Sequence, residues 1–351
     1  MEKNSCQTYR EIYGQPASFK GINDALNDIY AVLDKAFARE NHYDELIFTG
    51  CGTSFYLAQT AACIFSAYTD ICARAVPCSE LYFFPKIFIK DKNVLVLPIT
   101  RKSYTTEVRM AIDKVRAFPN VKTLAITCDA DSGKYNDFFI LSPVSEEESV
   151  VMTRSFTSMV YLAVILAMYA AGRKAGIEKM AASYDKAAEE LLPRMDAFAK
   201  QIVDENPNLN LFITLGQGVY YGVANECMNK MKEMSISNSE AYYSLEYRHG
   251  PMSLADKNTL IMTLGNSRTA EYDAKLLTQM KGYGAVTAII GKNVSKNMPD
   301  ADYKLDLTDD YDDAQYAPLV GFIGQLLGYY ISLKKNINAD SPRNLSQAII
   351  L

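Results

Sequence analysis

The sequence predicts an α/β protein in which parallel β-sheets are covered by helices on both faces. Short, continuous apolar runs alternate with longer helical patterns along most of the chain, which is typical of such sheets. The two halves repeat one local pattern, and 351 residues exceed the usual length of a single domain. We therefore expect two related domains rather than one long sheet.

The predicted strands form two sets separated by a charged helical stretch. The first set is 45–50, 93–100, 121–128 and 138–141, and the second is 209–216, 259–265 and 285–291. The helical stretch covers about 173–205 and stops at the helix-breaking ENPN (205–208). The apolar run at 159–172 predicts a buried helix, and its hydroxyl-rich entry SVVMTRSFTSM (149–159) is typical of a capped helix start.

Each half begins with a strand that runs into a glycine-rich turn and then into a helix. The two stretches are TGCGTSFYLAQTAA (49–62) and TLGQGVYYGVANE (214–226). Ligands of parallel sheets bind beyond the carboxyl ends of the strands, where the first N–H groups of the next helices are free. These turns are therefore expected to carry the chemistry.

The composition of the chain argues against several classes of protein. The chain is 49% hydrophobic and 22% charged, and its net charge of −5 comes from interspersed acidic and basic residues, which argues against a nucleic-acid surface. The N-terminus has no apolar signal segment, and the longest apolar run is too short to span a bilayer comfortably. Seven cysteines without a C-x-x-C pair argue against a disulfide framework and a zinc site. We expect a cytoplasmic protein that needs no metal and no organic cofactor.

The turn GCGTS (50–54) has two interpretations. Its glycines let a ligand approach the backbone, and the hydroxyls of Thr53 and Ser54 stand at a helix entrance, which favours an anion or sugar site. Alternatively, it is only a tight turn in which Ser54 caps the helix. It is not a dinucleotide-binding motif, because the third glycine of G-x-G-x-x-G is missing.

The loop PITRKSYTTEV (98–108) follows the second predicted strand. Hydroxyl and cationic side chains next to an expected helix start favour a phosphate site; they are Thr100, Arg101, Lys102, Ser103, Thr105 and Thr106. The simpler alternative is a capping box with Ser103 or Thr105 as the cap and Glu107 in the first turn. Both interpretations hold together, since capping and anion binding use the same end of the helix.

The helical segment that begins NECMNKMKEM carries acid, base and acid on one face, because Glu226, Lys230 and Glu233 are spaced by four and three residues. Surface ion pairs would explain this pattern. A carboxylate and an imidazole brought to one cleft would instead suit proton transfer near neutral pH, and the turn LEYRHGP supplies His249. The only other histidine, His42, lies in the polar stretch ENHYDE and is expected to be a solvated surface residue.

Together these motifs resemble those of the tandem sugar isomerase (SIS) domain family, most closely its phosphosugar members. Such members include the isomerase half of glucosamine-6-phosphate synthase and stand-alone sugar-phosphate deaminases and deglycases. The resemblance covers nearly the whole chain, and its motifs follow the family's order: EIYGQP (11–16), GCGTS, SVVMTRSFT, the spacing from Glu233 to His249, and SPRNLSQ (341–347).

The resemblance implies two SIS domains, each a three-layer α/β/α fold around a parallel five-stranded sheet. It implies an N-terminal helical segment (1–24), SIS domains at 25–195 and 196–340, and a C-terminal tail (341–351) that folds over the active site. It also implies a homodimer in which His249 serves the neighbouring subunit's site.

The resemblance further implies which residues act on a sugar phosphate. Glu233 matches the family's catalytic base, His249 matches the acid–base group that opens the sugar ring, and Lys230 lines the same site. The positions implied to contact the substrate are Cys51, Gly52, Thr53, Ser54, Thr100, Arg101, Lys102, Ser103, Thr105, Val150, Met152, Glu226, Ser346 and Gln347.

The chain departs from the family pattern in two places. The first departure is the phosphate loop, which reads TRKSYT (100–105) where family members commonly have S-(R or Q)-S-G-x-T. Ser103 thus replaces a glycine that permits close approach, and Lys102 replaces a serine donor. Gln347 stands where the synthase has a lysine that forms a Schiff base with its ketose, and a glutamine cannot form that bond.

Together with these departures, the resemblance implies a phosphosugar isomerase-type enzyme, expected to be a deaminase or deglycase that acts on a 6-phosphorylated amino or aminated sugar by proton transfer through Glu233 and His249. Because Glu2 follows the first methionine, no N-terminal glutaminase cysteine is expected. An enzyme without its own ammonia source is better placed to release an amine than to install one. A plain aldose–ketose sugar-phosphate isomerase and a non-catalytic sugar-phosphate sensor remain the alternatives.

Overall fold

The computed structural model describes residues 6–350, which divide into two compact units. The first unit comprises 14–148, 152–188 and 346–350, and the second comprises 6–13, 149–151 and 189–345. Both units are discontinuous along the chain, whereas the expected domains are continuous segments. The boundaries derived from the sequence stay a prediction.

The helices, in chain order, are α1 (Gln7–Tyr13), α2 (Gln15–Asp24), α3 (Leu26–Ala36), α4 (Thr53–Tyr68), α5 (Cys78–Phe83), α6 (Pro85–Phe88), α7 (Thr106–Val115), α8 (Arg154–Ala170), α9 (Lys174–Ala181), α10 (Tyr184–Glu205), α11 (Tyr220–Ser235), α12 (Ala270–Gly282), α13 (Val294–Asn297), α14 (Asp313–Val320) and α15 (Phe322–Lys334). The strands are β1 (Glu45–Gly50), β2 (Cys72–Pro77), β3 (Val94–Thr100), β4 (Val121–Thr127), β5 (Phe138–Leu141), β6 (Leu211–Gly216), β7 (Asn238–Tyr242), β8 (Thr259–Leu264), β9 (Val286–Lys292) and β10 (Tyr303–Leu307).

Each unit contains one five-stranded parallel sheet, in the order β2-β1-β3-β4-β5 in the first unit and β10-β9-β8-β6-β7 in the second. In both sheets the chain starts in an inner strand, moves to one edge, and then crosses to the other side. The two sheets therefore share one topology, which confirms the predicted repeat and fold class. The order reverses between β1 and β3 and between β6 and β8, so the loops after these strands flank the crevices where ligands of such sheets bind.

Three strands were not predicted, namely β2, β7 and β10. All three lie at sheet edges, and most of their residues are only partly buried. Inner strands β1, β3 and β8 are instead buried at every position. A half-exposed edge strand lacks the continuous apolar run by which the inner strands were recognised.

Two apolar helical stretches are core elements. In α8 every residue from Ser155 to Met168 is buried, as its composition predicts. The stretch 313–334, which contains α14 and α15, is long and apolar enough to cross a membrane by length and composition alone. However, 94% of its most apolar 18-residue segment is buried inside the protein, as is typical of a core helix.

Helix α1 is anchored within the second unit by two carboxylates from distant parts of the chain. Asp340 caps the helix, since it accepts hydrogen bonds from the backbone N–H and the hydroxyl of Thr8, each at 2.7 Å. Asp196 accepts hydrogen bonds from the phenols of Tyr9 at 2.9 Å and Tyr330 at 2.6 Å. The helix is therefore held at its start and along one face.

Helix α15 packs directly against α11, the helix that carries the predicted acid–base–acid face. A Cβ added at Gly324 would lie 2.6 Å from the Cα of Cys227, and one added at Gly328 would lie 3.0 Å from the carbonyl oxygen of Lys230. Since the two glycines are four residues apart, they lie on one face of α15. Their missing side chains let the two backbones approach closely, and this contact holds α11 in place.

Substituting Gly324→Ala should therefore destabilise the protein. Overpacking of this kind costs about 1–3 kcal/mol, measured as the loss in free energy of unfolding by urea titration. Gly282→Ala is the matched control, because Gly282 ends α12 with no atom within 4 Å of the added Cβ. Equal stability of the Gly324→Ala variant and the wild type would contradict the close-approach argument.

Candidate active site

The charged side chains on α11 form a buried row. Lys230 is fully buried and Glu226 is 1% exposed, so the interpretation as surface ion pairs is wrong. The Lys230 ammonium lies 3.1 Å from Oε1 of Glu226, and it forms a second ion pair with Oε2 of Glu233. Because the Glu233 side chain is 22% exposed, the row ends in an accessible carboxylate.

The row fixes the charge of its central lysine. Burial disfavours the Lys230 ammonium, but the adjacent carboxylates of Glu226 and Glu233 outweigh burial and raise the pKa of Lys230 above its ordinary value. Lys230 therefore stays protonated at neutral pH and cannot act as a base. The group that is able to accept a proton from a ligand is the accessible carboxylate of Glu233.

The two histidines occupy exposed positions. His249 follows a short 3₁₀ turn, Glu246–Arg248, and its backbone N–H donates to the carbonyl of Glu246 at 3.0 Å. Within residues 6–350 its imidazole forms no hydrogen bond or ion pair. His42 is 78% exposed beside Asp44, which confirms the expectation that it is a surface residue. His249 is therefore a solvent-facing imidazole in the same unit as Glu233.

The turn 50–54 brings four predicted substrate contacts to the start of α4. Gly52 has a φ of +54°, a left-handed conformation that favours glycine, and it takes the N-cap position. Ser54 is therefore not the cap, and no side-chain hydrogen bond caps this helix. Thr53 and Ser54 are buried, while Cys51 is half-buried. The Ser54 hydroxyl therefore does not occupy the free N–H groups in the first turn of α4.

The loop 100–105 joins β3 to α7, and most of its polar groups already have partners. Thr105 takes the N-cap position, but its hydroxyl donates to the carbonyl of Lys102 at 3.3 Å instead of capping the helix. The Thr100 hydroxyl donates to the same carbonyl at 2.6 Å. Arg101 is buried and paired with Glu147, whereas Lys102 is half-buried. Of the two predicted cations, Lys102 is the one that meets solvent.

An acidic residue that sequence reasoning missed, Asp129, binds the centre of this loop. Its Oδ2 accepts hydrogen bonds from the backbone N–H of Ser103 at 2.9 Å and from the Ser103 hydroxyl at 2.6 Å. Partial burial opposes ionisation of Asp129, but the hydrogen bonds from Ser103 hold its pKa below the ordinary value. The Asp129 carboxylate therefore already binds the N–H and the hydroxyl of Ser103, a residue that the sequence analysis expects to bind phosphate.

A second missed residue, Glu147, organises the start of α8. Its side chain is fully buried. Oε1 accepts hydrogen bonds from the backbone N–H groups of Thr153 at 2.6 Å and Ser155 at 3.1 Å. Oε2 pairs with the Arg101 guanidinium at 3.1 Å. The start of this helix is thus capped, but its free N–H groups are satisfied by the nearby carboxylate of Glu147 and not by the hydroxyl of Thr153.

The C-terminal tail lies against the same loop of the first unit. The Arg101 guanidinium donates to the carbonyl of Gln347 at 2.9 Å, and the backbone N–H of Thr106 donates to the carbonyl of Ile349 at 3.2 Å. The Gln347 amide donates to the carbonyl of Glu148 at 2.8 Å. Ser346 is exposed. The tail is therefore attached to the start of α7.

The segment before α8 contains the remaining predicted contacts, Val150 and Met152, both half-buried. Glu11 of α1 holds the second unit's part of this segment, because its carboxylate accepts hydrogen bonds from the backbone N–H and the hydroxyl of Ser149. Glu11 is 1% exposed. Glu11, the first residue of the EIYGQP motif, therefore has a structural role, because it holds Ser149 in place.

The structure divides the predicted site residues between the two units. Glu226, Lys230, Glu233, His249 and Val150 belong to the second unit, and the others belong to the first. Across the described range, 6–350, no group of three or more His, Cys, Asp and Glu side chains is arranged to hold a metal ion.

Comparison with protein families gives one match along both halves of the chain. The SIS domain profile matches residues 41–169 and 210–333. These two stretches contain the two parallel sheets.

Curated relatives include isomerizing glutamine–fructose-6-phosphate aminotransferases. The protein from Sulfurisphaera tokodaii is 27% identical over 345 residues, which are 97% of this chain and 56% of the relative. The protein from Buchnera aphidicola is 27% identical over 365 residues, with 97% and 58% coverage. The chain thus spans about half the length of the curated relatives it matches.

Solved structures with the same fold cover the whole chain. A glucosamine-6-phosphate deaminase from Thermotoga maritima superposes with a TM-score of 0.78 at 27% identity, covering 98% of this chain and 100% of that one. A tagatose-6-phosphate ketose/aldose isomerase from Escherichia coli gives a TM-score of 0.86 at 21% identity, with 100% and 97% coverage. The second likeness shows the fold alone.

Replacing Lys230 by methionine should destabilise the protein strongly. Removing one partner of a buried ion pair costs about 3–5 kcal/mol, and here two carboxylates would lose their shared cation. Urea titration measures the loss in free energy of unfolding. Adding Glu226→Gln to Lys230→Met should recover part of the loss, because one of the two carboxylates is removed.

Lys275→Met is the matched control for this substitution. Lys275 pairs with Glu271 on the surface, where the side chains are 61% and 74% exposed, and exposed pairs contribute roughly 0–1 kcal/mol. Equal losses for Lys230→Met and Lys275→Met would contradict the buried charged row.

Proposed function

The chain belongs to the SIS domain family, and from this premise we propose that it is a phosphosugar isomerase-type enzyme that acts as a deaminase or deglycase on a 6-phosphorylated amino or aminated sugar. The relatives named above carry out or are named for sugar-phosphate chemistry, which supports the substrate class. The finer assignment depends on residues of this chain.

The observation that carries the proposal is the buried row on α11. It presents one accessible carboxylate, Glu233, on a rigid helix and fixes that carboxylate to the Lys230 ammonium. A fixed carboxylate is suited to shuttle a proton between the carbonyl carbon of a sugar and the neighbouring carbon. A protein that only binds sugar phosphates would not need such a base, so the row favours an enzyme over a sensor.

In the proposed mechanism each group has one task. Glu233 takes the proton from the carbon next to the carbonyl or imine carbon and returns it to the adjacent carbon. Lys230 keeps its proton and orients Glu233. His249 opens the sugar ring and protonates the leaving amine. Addition of water at the imine carbon then releases the free amine. A 2-amino aldose phosphate leaves a ketose phosphate, and a 1-amino ketose phosphate leaves an aldose phosphate.

Phosphate binding is proposed for the hydroxyls of Ser54, Thr100 and Thr105 together with Lys102, with Thr100 and Thr105 turning their hydroxyl protons from the carbonyl of Lys102 to the phosphate. Lys102 contributes the positive charge, since Arg101 is committed to Glu147. The Asp129 carboxylate competes with a phosphate for Ser103, because both are anions that need the same donors. We infer that the phosphate either displaces Asp129 or binds without Ser103.

The side chain of Gln347 favours a reaction that releases an amine over one that attaches an amine to the sugar. Its amide is hydrogen-bonded to the backbone of Glu148, and a glutamine forms no Schiff base with a ketose. A substrate that already carries nitrogen needs no enzyme amine for the carbonyl step. The proposed setting is the cytoplasm, where the free thiols of all seven cysteines would be maintained.

A homodimer is proposed as the working form. The exposed imidazole of His249 has no partner within residues 6–350, which is the state expected of a group that serves a neighbouring subunit. The mass of the protein in solution, from light scattering with and without a sugar phosphate, tests this assembly.

Product analysis distinguishes the candidate reactions. Purified protein is incubated with glucosamine 6-phosphate and, separately, with fructose 6-phosphate. Ammonia from the first substrate supports the deaminase. An aldose phosphate from the second without ammonia from the first supports the plain isomerase. Thermal stabilisation without turnover of either one supports the sensor.

The substitution Glu233→Gln should abolish most of the activity, because an amide cannot accept the proton. General acid–base catalysis contributes roughly 10²–10⁴-fold, so kcat should fall by about that factor while phosphate binding persists. Glu271→Gln is the matched control, since the Glu271 side chain is 74% exposed in a surface pair. Full turnover by the Glu233→Gln variant would show that this residue is not the base.

A further inference from the structure

Two cysteines lie side by side at the carboxyl ends of β1 and β2. These strands are hydrogen-bonded neighbours, and their register pairs Gly50 with Pro77. Cys51 and Cys78 are the residues that directly follow this pair. Their thiols share a hydrogen bond, and Cys78 also accepts one from the Thr49 hydroxyl at 3.4 Å.

Cys78 lies in the apolar core of the first unit, and Cys51 lies in the turn 50–54. Cys78 is fully buried in an apolar cluster with Ile47 and Leu81, and Cys51 packs against the same cluster while staying half-buried. Cys51 belongs to the turn 50–54. One sulfur is thus shielded, and the other can be reached from the solvent side of the turn.

The backbone geometry suits a covalent bond between the two sulfurs. Neighbouring strands run about 4.8 Å apart, and disulfides bridge residues whose Cα atoms are roughly 4.4–6.8 Å apart. The registered pair Gly50 and Pro77 directly precedes the two cysteines, and the hydrogen bond between their thiols places the sulfurs next to each other, so a bond requires no separation or sliding of β1 and β2. All seven cysteines are free thiols in the structure.

We propose that Cys51 and Cys78 form a redox-modification site, at which a hydroperoxide converts the two thiols into a disulfide that blocks substrate binding at the turn 50–54. The disulfide itself follows from the arrangement of the two strands. Its effect on the substrate rests on the proposed function.

The chemistry proceeds in two steps. The Cys51 sulfur attacks the O–O bond of the peroxide, that bond breaks, and the thiol proton leaves with hydroxide as water, so that Cys51 becomes a sulfenic acid. The Cys78 sulfur then attacks the sulfenic sulfur. The S–S bond forms as the S–O bond breaks, and the departing hydroxide takes the second proton as water. Two thiols are oxidised by two electrons, and one peroxide is reduced.

The hydrogen bond between the thiols holds the two sulfurs next to each other before oxidation. Donation from Cys51 lowers the pKa of Cys78, and the bond from Thr49 adds to this effect despite burial. The same contact with Cys78 raises the pKa of Cys51. In the reduced pair Cys78 is therefore the readier thiolate, whereas its greater exposure makes Cys51 the sulfur that meets peroxide first.

The turn has little room to adapt to the new bond. A Cβ added at Gly50 would lie 2.6 Å from the backbone of Ser54, so the turn is tightly wound. A disulfide fixes Cys51 to the start of α5, removes its thiol from the ligand side, and prevents Thr53 and Ser54 from adjusting to a sugar phosphate.

Peptide mapping of the full chain after treatment with hydrogen peroxide tests the site. The expected result is a linked Cys51–Cys78 peptide that disappears on reduction with dithiothreitol. It should be absent from Cys51→Ser and Cys78→Ser and present in Cys63→Ser, the matched control from the middle of α4. Oxidation at the exposed Cys72 without a Cys51–Cys78 link would overturn the proposal.

The effect on function is measured separately. Peroxide should abolish binding and turnover of the sugar phosphate in the wild type, dithiothreitol should restore both, and Cys78→Ser should keep its untreated activity after peroxide. A linked protein with unchanged binding would overturn the blocking role. Absence of any sugar-phosphate activity before treatment would count against the proposed function and leave the peptide map as the test of the disulfide.

Discussion

The second unit depends on the protonated state of a single buried lysine. Lys230 is surrounded by protein and has an acidic neighbour on each side along α11. Burial alone would remove its charge, and loss of the charge would leave Glu226 and Glu233 repelling each other. The ammonium therefore stabilises the helix and also orients the one carboxylate that reaches the surface. The close contact with α15, made possible by Gly324, keeps this arrangement out of water.

Two carboxylates, the buried Glu147 and the partly buried Asp129, organise the first unit in a comparable way. Glu147 satisfies the free N–H groups of α8 and neutralises Arg101, which in turn binds the C-terminal tail. Asp129 satisfies the donors of Ser103 at the loop before α7. In both cases an acidic side chain occupies a helix start or loop that would otherwise attract an anion. The loop 100–105 is therefore preformed, and the phosphate proposed to bind there would compete with the protein's own negative charges.

The sequence was sufficient for the fold class and for the positions of the main turns, because these follow from short-range patterns. Continuous apolar runs marked inner strands such as β3, while the half-exposed edge strand β2 left no comparable run. The spacing on α11 predicted one face but not its burial, since charged residues at helical spacing are usually solvated. Glu147 could not be recognised within the acidic run SEEES, because its partner Arg101 is 46 residues away. Contacts over such distances are decided by tertiary structure.

Glu233 is proposed to move a proton on the substrate, and hydrogen exchange during turnover measures this transfer most directly. An active preparation is run on its 6-phosphorylated sugar in deuterium oxide, and the product is examined by proton NMR at the first two carbons. Because the Glu233 side chain is 22% exposed, its carboxyl proton exchanges with solvent between abstraction and return. Proton transfer through Glu233 predicts deuterium on carbon in at least part of the product. Product formed over many turnovers without any carbon-bound deuterium would contradict it.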